Sequence, residues 1–331
     1  MSATATLSTD TLPQRQLYPH RIIGRYIGEE KGPLFVVIGA MHGNELAGVY
    51  ALQEVLNLLE REARINPDFI FSGQLLGIYG NWRAMQNGQR YIERDLNRQW
   101  TPQNVARIQQ LNPESLQAED AEIHELLTCL QYEINAYRPE EIILLDLHTT
   151  SATGGIFSIV SDELKSLQIA VQLHAPVITE MLQGVQGTSL HYFTTALFDI
   201  PMTTLVFESG QHLDLDSVNR ATSAIISCLR SIQCVDEFVV ESKHDHLLIE
   251  YARSLPKVTE LVYMHRINEG DEFIMKPGFQ NFDRIQKGQP LAVDRTGLIL
   301  SPLDGLILMP LYQKQGENGF FIVQEVYQGA Y

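Results

Sequence analysis

This sequence predicts an α/β protein: a mixed, largely parallel sheet flanked by helices, followed by a smaller C-terminal all-β domain. Three observations carry the prediction. Some apolar runs are continuous rather than alternating, as in strands buried on both faces. Segments with apolar residues spaced at three and four lie between them. From Lys257 onward, short strand-like runs are punctuated by glycine and proline, at Gly270, Pro277-Gly278, Gly288, Gly297, Asp304-Gly305 and Gly316.

The elements follow in chain order. Residues 1–16 are rich in Ser, Thr and Gln and read as a loose tail. Leu34–Met41 (LFVVIGAM) is a buried strand ending in His42-Gly43-Asn44-Glu45, and LAGVYALQEVLNLLERE is a helix. Phe71–Tyr79 is the next strand, and a polar, charged loop is expected from Asn81. Glu119–Tyr137 is helical by periodicity, and Glu141–Leu147 (EIILLDL) is a second apolar strand running into His148. Pro176–Leu182 and Thr203–Phe207 add to the same sheet, and Asp216–Ile232 is a helix expected to be capped by Asp216. A polar linker around His244-Asp245-His246 leads to the β-rich end. The expected division is a tail over 1–16, a catalytic domain over 17–240, and a linker with the C-terminal β-domain over 241–331.

Composition narrows the function classes. Of 331 residues, 44% are hydrophobic and 19% charged, enough apolar material for a sizeable core. The formal net charge of −16 provides no broad footprint for nucleic acid or an anionic membrane. A small anionic substrate would therefore need a local cluster of positive charge. Cys129, Cys228 and Cys234 are too few and too scattered for a disulfide framework or a thiolate metal site. No apolar run approaches the ~20 residues of a membrane span, and the N-terminus has no signal-peptide pattern, so a cytoplasmic location is expected.

Four motifs carry chemistry. His42-x-x-Glu45 stands at the carboxyl end of a buried strand, where open α/β sheets bind ligands. Imidazole and carboxylate suit zinc, and Gly43 would let the backbone turn both side chains to one point. Alone, the motif also fits a loop histidine and a glutamate favouring a helix start. His148 follows Asp146 by two positions, so the carboxylate shares its strand face and could orient the imidazole. The stretch from Arg90 to Arg98 (RYIERDLNR), with Asn81 and Arg83 upstream, gathers arginines suited to a carboxylate, although Glu93 and Asp95 balance their charge. Glu208 ends the apolar run TTLVF beside Ser209-Gly210, the placement of a general base or of an ordinary strand-terminal acid.

Taken together and in this order, HGNE, RYIERDLNR, DLHTTS and FESG resemble the aspartoacylase and succinylglutamate desuccinylase family of zinc carboxypeptidase-like hydrolases. The resemblance implies His42, Glu45 and His148 as ligands of one zinc ion per chain. It implies Arg90 at the scissile carbonyl, Asn97 and Arg98 on the amino-acid carboxylate, and Glu208 as catalytic base. Hydrolysis of a small N-acyl amino acid, of succinyl or acetyl type, is the implied activity, with a C-terminal domain that leans over the pocket. A peptidase using the same metal site, or a non-catalytic metal-binding protein, are the rival readings, and the oligomeric state stays open. One departure stands out. Aspartoacylase resembles Tyr-x-Thr-Thr-Arg ahead of its base, whereas this chain has Tyr192-Phe193-Thr194-Thr195-Ala196. No arginine occurs between Ser151 and Phe207, and Lys165 is the one cation there. N-acetylaspartate itself is thereby placed in doubt. Tyr192, with His191, is expected to line the pocket, and the other histidines carry no motif.

Overall fold

The computed structural model describes residues 18–236 and 243–326, with the side chains of 243 and 244 left out. The expected tail, 1–16, and part of the expected linker lie outside the described residues.

The chain opens with β1 (Ile22–Ile27) and β2 (Glu30–Gly39), followed by helix α1 (Ala47–Ile65) and β3 (Ser72–Tyr79). Two helices, α2 (Trp82–Gln86) and α3 (Pro102–Gln109), then occupy the stretch expected to be loop, with the 3-10 turn Leu96–Arg98 between them. Helix α4 (Ala118–Tyr137) leads to β4 (Ile142–Thr150), β5 (Phe157–Val160), α5 (Leu164–Gln172) and β6 (Val177–Thr179). Three single-turn helices, α6 (Met181–Gly184), α7 (Ser189–Tyr192) and α8 (Thr195–Phe198), precede β7 (Met202–Gln211) and α9 (Asp216–Ser231). Helix α10 (Lys243–Ala252) stands where a linker was expected, with Asp245 bonded to Arg230 at 2.6 Å and His246 exposed. The remainder is β8 (Val258–Arg266), β9 (Ile274–Met275), β10 (Arg284–Ile285), β11 (Pro290–Asp294), β12 (Gly297–Leu300), β13 (Gly305–Leu308) and β14 (Asn318–Glu325).

Among the described residues, the central sheet has 11 strands in the order β1-β3-β2-β4-β7-β5-β6-β8-β14-β13-β10. Its middle, β3-β2-β4-β7, is parallel, whereas β5 runs antiparallel to β7. Through the parallel pair β6 and β8, the C-terminal strands continue this sheet, and β12-β11-β9 forms a second, three-stranded sheet. The fold class is therefore as expected: a mixed, mainly parallel core sheet with helices on its faces and an antiparallel C-terminal region.

The continuous apolar runs have a direct cause. Along β4, Ile143, Leu145 and Leu147 face a core shared with α1 and α9, while Ile142 and Leu144 face a second core shared with α4. Each side chain is buried whichever way it points, so alternation disappears. The cap of α9 differs from expectation. Asp216 is the first helical residue, and the upstream Asp214 carboxylate accepts its N–H at 3.0 Å.

Helix α4 carries an unusual load of buried carboxylates, Glu119, Glu122, Glu125 and Glu133. Each has a partner from the N-terminal strands or from the loop after β3. Arg21 is fully buried and donates to Glu125 through Nε at 3.0 Å and Nη2 at 2.8 Å, and its Nη1 lies 2.5 Å from Glu122. Arg83 pairs with the same two acids at 2.7 and 2.6 Å. Burial raises the Glu125 pKa, but the hydrogen bonds and charges of Arg83 and Arg21 outweigh it and bring it down to about 2. A depressed carboxylate stabilises the fold fully above its unfolded value and loses that contribution as pH falls toward the folded one. Urea melts of the native protein and of Glu125→Gln should therefore differ most near pH 7, where breaking a buried pair costs about 3–5 kcal/mol. The difference should shrink as pH falls from about 5 toward 2. A constant difference would separate Glu125 from acid stability.

Candidate metal centre and its cavity

The site forms where β2, β4 and β7 end. At the end of β2 the chain turns sharply at Ala40, whose φ is 57°, and not at Gly43. Gly43 serves a different need. A Cβ there would lie 2.2 Å from the Met85 backbone nitrogen, so the loop can rest on α2 only without a side chain. His42 and Glu45 are thereby pressed inward and buried, and Glu45 sits two residues before α1 begins. On the neighbouring parallel strands His148 and Glu208 stand in register, side by side on one sheet face.

His42, Glu45 and His148 converge, with one ligand atom from each lying within 4.8 Å of the others. Glu45 is at the centre. Its Oε1 is 2.9 Å from His42 Nδ1, its Oε2 is 2.9 Å from His148 Nδ1, and the Thr149 N–H donates to Oε2 at 3.1 Å. The far nitrogen of each ring meets an aspartate. His148 Nε2 lies 3.1 Å from Asp146 Oδ2, and His42 Nε2 lies 3.1 Å from Asp95 Oδ1. A proton held on Nε2 by a carboxylate, as Asp146 can do for His148, leaves the Nδ1 lone pair free to face a cation, while His42 Nε2 also meets Arg90 Nη2 at 2.8 Å. Two imidazoles and one carboxylate make a donor set that fits a divalent metal ion of zinc type.

The electrostatics are those of a site that concentrates charge out of water. Burial alone would raise Glu45, yet the two histidines hold it well below the usual carboxylate range. Burial lowers His148 while Asp146 and Glu45 raise it more, leaving it well above an ordinary histidine. Glu208 is the exception among the acids. Burial pushes it up to about 8, with Glu45 and Asp146 adding while His148 and Arg90 oppose. Its Oε2 is buried and has no hydrogen-bond partner among the described residues.

Of the four arginines expected to gather here, two arrive. Arg90 reaches Glu45 and Asp95, each at 3.1 Å, and lies beside the metal-type triad. Arg98 lines the same cavity, bonded to the Asn97 carbonyl at 2.8 Å and to Asn318 Oδ1 at 3.1 Å. Arg83 is taken by Glu122 and Glu125, and Arg94 by Asp120, so neither lines the cavity. Asn97 does line it, with Nδ2 3.5 Å from His148 Nε2 and Oδ1 accepting the Ser189 N–H at 2.9 Å. Asp146 lies behind His148 and also takes the Ser189 hydroxyl at 2.6 Å.

Tyr192 is a correction. It is packed among Trp100, Phe193 and Phe198, away from the cavity lining, and burial pushes its pKa up to about 12. An aromatic beside two others at short spacing buries more apolar area in a core than at a pocket wall. His191 is likewise turned away, held by Thr188 and the Leu182 carbonyl, and Ala196 is exposed on the surface.

Two groups escaped sequence reasoning. Asp95 reads in the sequence as charge balance among arginines, yet its carboxylate meets both His42 and Arg90. Glu119 is the other. Its carboxylate accepts the N–H groups of Ile92, Glu93 and Arg94 at 2.7–3.0 Å and the Asn81 amide at 3.1 Å, and so fixes the loop that carries Arg90. Only the buried acid side of α4 hints at Glu119.

The cavity holds about 120 Å³. Its roof is the segment between β13 and β14, which contributes Met309, Leu311, Gln313, Gly316 and Glu317. That segment is tied down on the loops beneath it. Gln313 accepts from the Asn44 amide at 3.1 Å, and Gln315 accepts the Arg90 N–H at 3.2 Å and donates to the Tyr91 carbonyl at 3.3 Å.

Comparison with known proteins agrees with this geometry. A profile of the succinylglutamate desuccinylase/aspartoacylase catalytic domain matches residues 31–232. A probable aspartoacylase of Nostoc sp. is 30% identical over 127 residues, 38% of this chain and 38% of that protein. A probable aspartoacylase of Acaryochloris marina is 28% identical over 196 residues, 58% of this chain and 60% of its own length. Neither match reaches two thirds of the relative. Among solved structures, murine aminoacylase 3 superimposes with a TM-score of 0.58 at 18% identity, over 90% of this chain and 97% of that one. Succinylglutamate desuccinylase from Vibrio cholerae gives 0.56 at 18% identity, over 90% and 82%. These two likenesses are of fold.

Proposed function

Because the chain belongs to the succinylglutamate desuccinylase/aspartoacylase family, we propose that it is a zinc-dependent hydrolase of small N-acyl amino acids. The observation that carries the reading is the convergence of His42, Glu45 and His148 with Glu208 and two arginines in one roofed cavity. A non-catalytic metal protein would need no buried carboxylate of raised pKa beside the triad.

His42 Nδ1, Glu45 and His148 Nδ1 would hold the zinc. When bound, such an ion acts as a Lewis acid toward a carbonyl and brings the pKa of water to about 7. The protein's own groups do the rest. Arg98 and Asn97 hold the carboxylate of the amino-acid part and so place the scissile amide. Arg90 faces the negative charge that develops on the carbonyl oxygen. Glu208 takes a proton from the attacking water as the C–O bond forms and delivers it to the amide nitrogen as the C–N bond breaks. The products are a carboxylate and a free amino acid.

The roof supports an acylase over a peptidase. A peptide extending from the amide would meet the segment held by the Gln313 and Gln315 contacts, and a small acyl amino acid has less to displace. Amine release from acyl amino acids and short peptides, assayed side by side with the zinc-loaded protein, tests this. We expect turnover of the former only, and peptide cleavage would transfer the site to the peptidase reading.

Asp95 supplies a separate check. In Asp95→Ala, His42 and Arg90 lose their common partner, and zinc affinity should fall by about 10–100-fold, the range found for partners of metal ligands. Calorimetric zinc titration measures it, and an unchanged affinity would leave Asp95 a mere counter-ion of Arg90.

A further inference from the structure

The cavity lining is of two kinds. Its polar part holds the triad, Arg90, Asn97, Arg98 and Glu208, with Thr149, Thr150, Ser151, Thr188, Gln313 and Asn318. An apolar wall is formed by Ile159, Met181, Leu182, Val185, Leu190 and Phe321, which pack into one cluster. Apart from Leu182 these side chains are buried, and they belong to the apolar cluster between β5, β6 and the C-terminal strands. Arg90 and Arg98 are the only arginines or lysines among the described lining residues, and both are already engaged. Arg90 serves Glu45 and Asp95. Arg98 is needed for one substrate carboxylate, and its Nε already has Glu317 at 4.0 Å. Lys165, the one cation between Ser151 and Phe207, pairs with Glu141 away from the cavity. Glu317 itself lines the cavity from the roof segment, half-exposed, and adds a negative charge beside Arg98.

We propose that this cavity selects N-acyl amino acids with a single carboxylate and an apolar group beside the amide, with the Met181–Leu190 wall receiving that group and Glu317 rejecting dicarboxylic substrates. The inference rests on the N-acyl amino acid reading above. Each methylene laid on the wall is removed from water, and a like charge brought to Glu317 is penalised. A second carboxylate facing the wall would lose its hydration with no further cation among the described lining residues to replace it. The apolar group can be an acyl chain or an amino-acid side chain, since either flanks the amide.

Ligand binding to zinc-loaded Glu208→Gln protein, measured by calorimetry, tests this without turnover. The probes are N-acetyl-L-leucine, N-acetyl-L-phenylalanine, N-hexanoylglycine, N-acetyl-L-aspartate and N-acetyl-L-glutamate. At least one of the first three should bind about tenfold or more tightly than either dicarboxylic probe, and which one does tells whether the side chain or the acyl chain meets the wall. Adding Glu317→Gln should tighten the dicarboxylic probes severalfold while sparing the others, and Leu182→Ala should weaken only the apolar ones. Equal or tighter dicarboxylic binding, or no binding of the apolar probes, overturns the proposal. Failure of the wild-type protein to hydrolyse any probe that binds would instead overturn the hydrolase reading and leave the selectivity standing.

Discussion

Glu208→Gln is expected to bind zinc with unchanged stoichiometry and to lose turnover by about 10²–10⁴-fold or more, the range supplied by a positioned proton-transfer group. The glutamine keeps the side chain's volume and one oxygen, so the register with His148 should survive. What it cannot do is accept a proton from water and return it to nitrogen. Its effect should fall on kcat and leave the binding of unreactive ligands intact, because the carboxylate acts in the transition state and Arg98 acts in the ground state. Retained turnover would remove the base assignment and turn attention to a group outside the present set. Loss of zinc along with activity would instead make Glu208 a structural part of the metal site.

His148→Ala should abolish stoichiometric zinc binding and, with it, activity. The imidazole is one of three donors, and its removal also frees Asp146 and Glu45 from a partner each. An uncompensated buried carboxylate costs several kcal/mol, so some loss of thermal stability should accompany the loss of metal. The control is His212→Ala. His212 contacts Thr149 at 2.7 Å but is no member of the triad, and its zinc stoichiometry should remain at one. Full zinc occupancy in His148→Ala, measured on the folded protein by metal analysis after dialysis, would refute the ligand assignment.

How far the residues announced all this follows from the range of the interactions involved. LFVVIGAM and EIILLDL were legible as strands because burial on both faces leaves an unbroken apolar run, a property of each segment by itself. The His–Asp pairing at His148 was legible too, since two residues apart on a strand share a face. Asp95 opposite His42 was not. It comes from 53 positions away and depends on the Arg90 loop being pinned by Glu119. For the same reason α2 and α3 were hidden in a polar stretch: α2 begins where the N–H groups of Trp82 and Arg83 meet Glu122, 40 and 39 residues later. Four arginines look alike in sequence, and only the acids waiting on α4 decide that Arg83 and Arg94 leave the site. Tyr192 was misplaced because its aromatic partner Trp100 is remote in the chain. The turn at Ala40 carries no residue signal at all, since alanine has no preference for positive φ.

Zinc-dependent hydrolysis is tested most sharply by amine release from one hydrolysable N-acyl amino acid, followed before metal removal, after it, and after zinc is restored. Activity should disappear with the metal, return in proportion to zinc up to one equivalent per chain, and fail to return in His148→Ala. Undiminished hydrolysis by the stripped protein would rule out a metal-dependent reaction at this site.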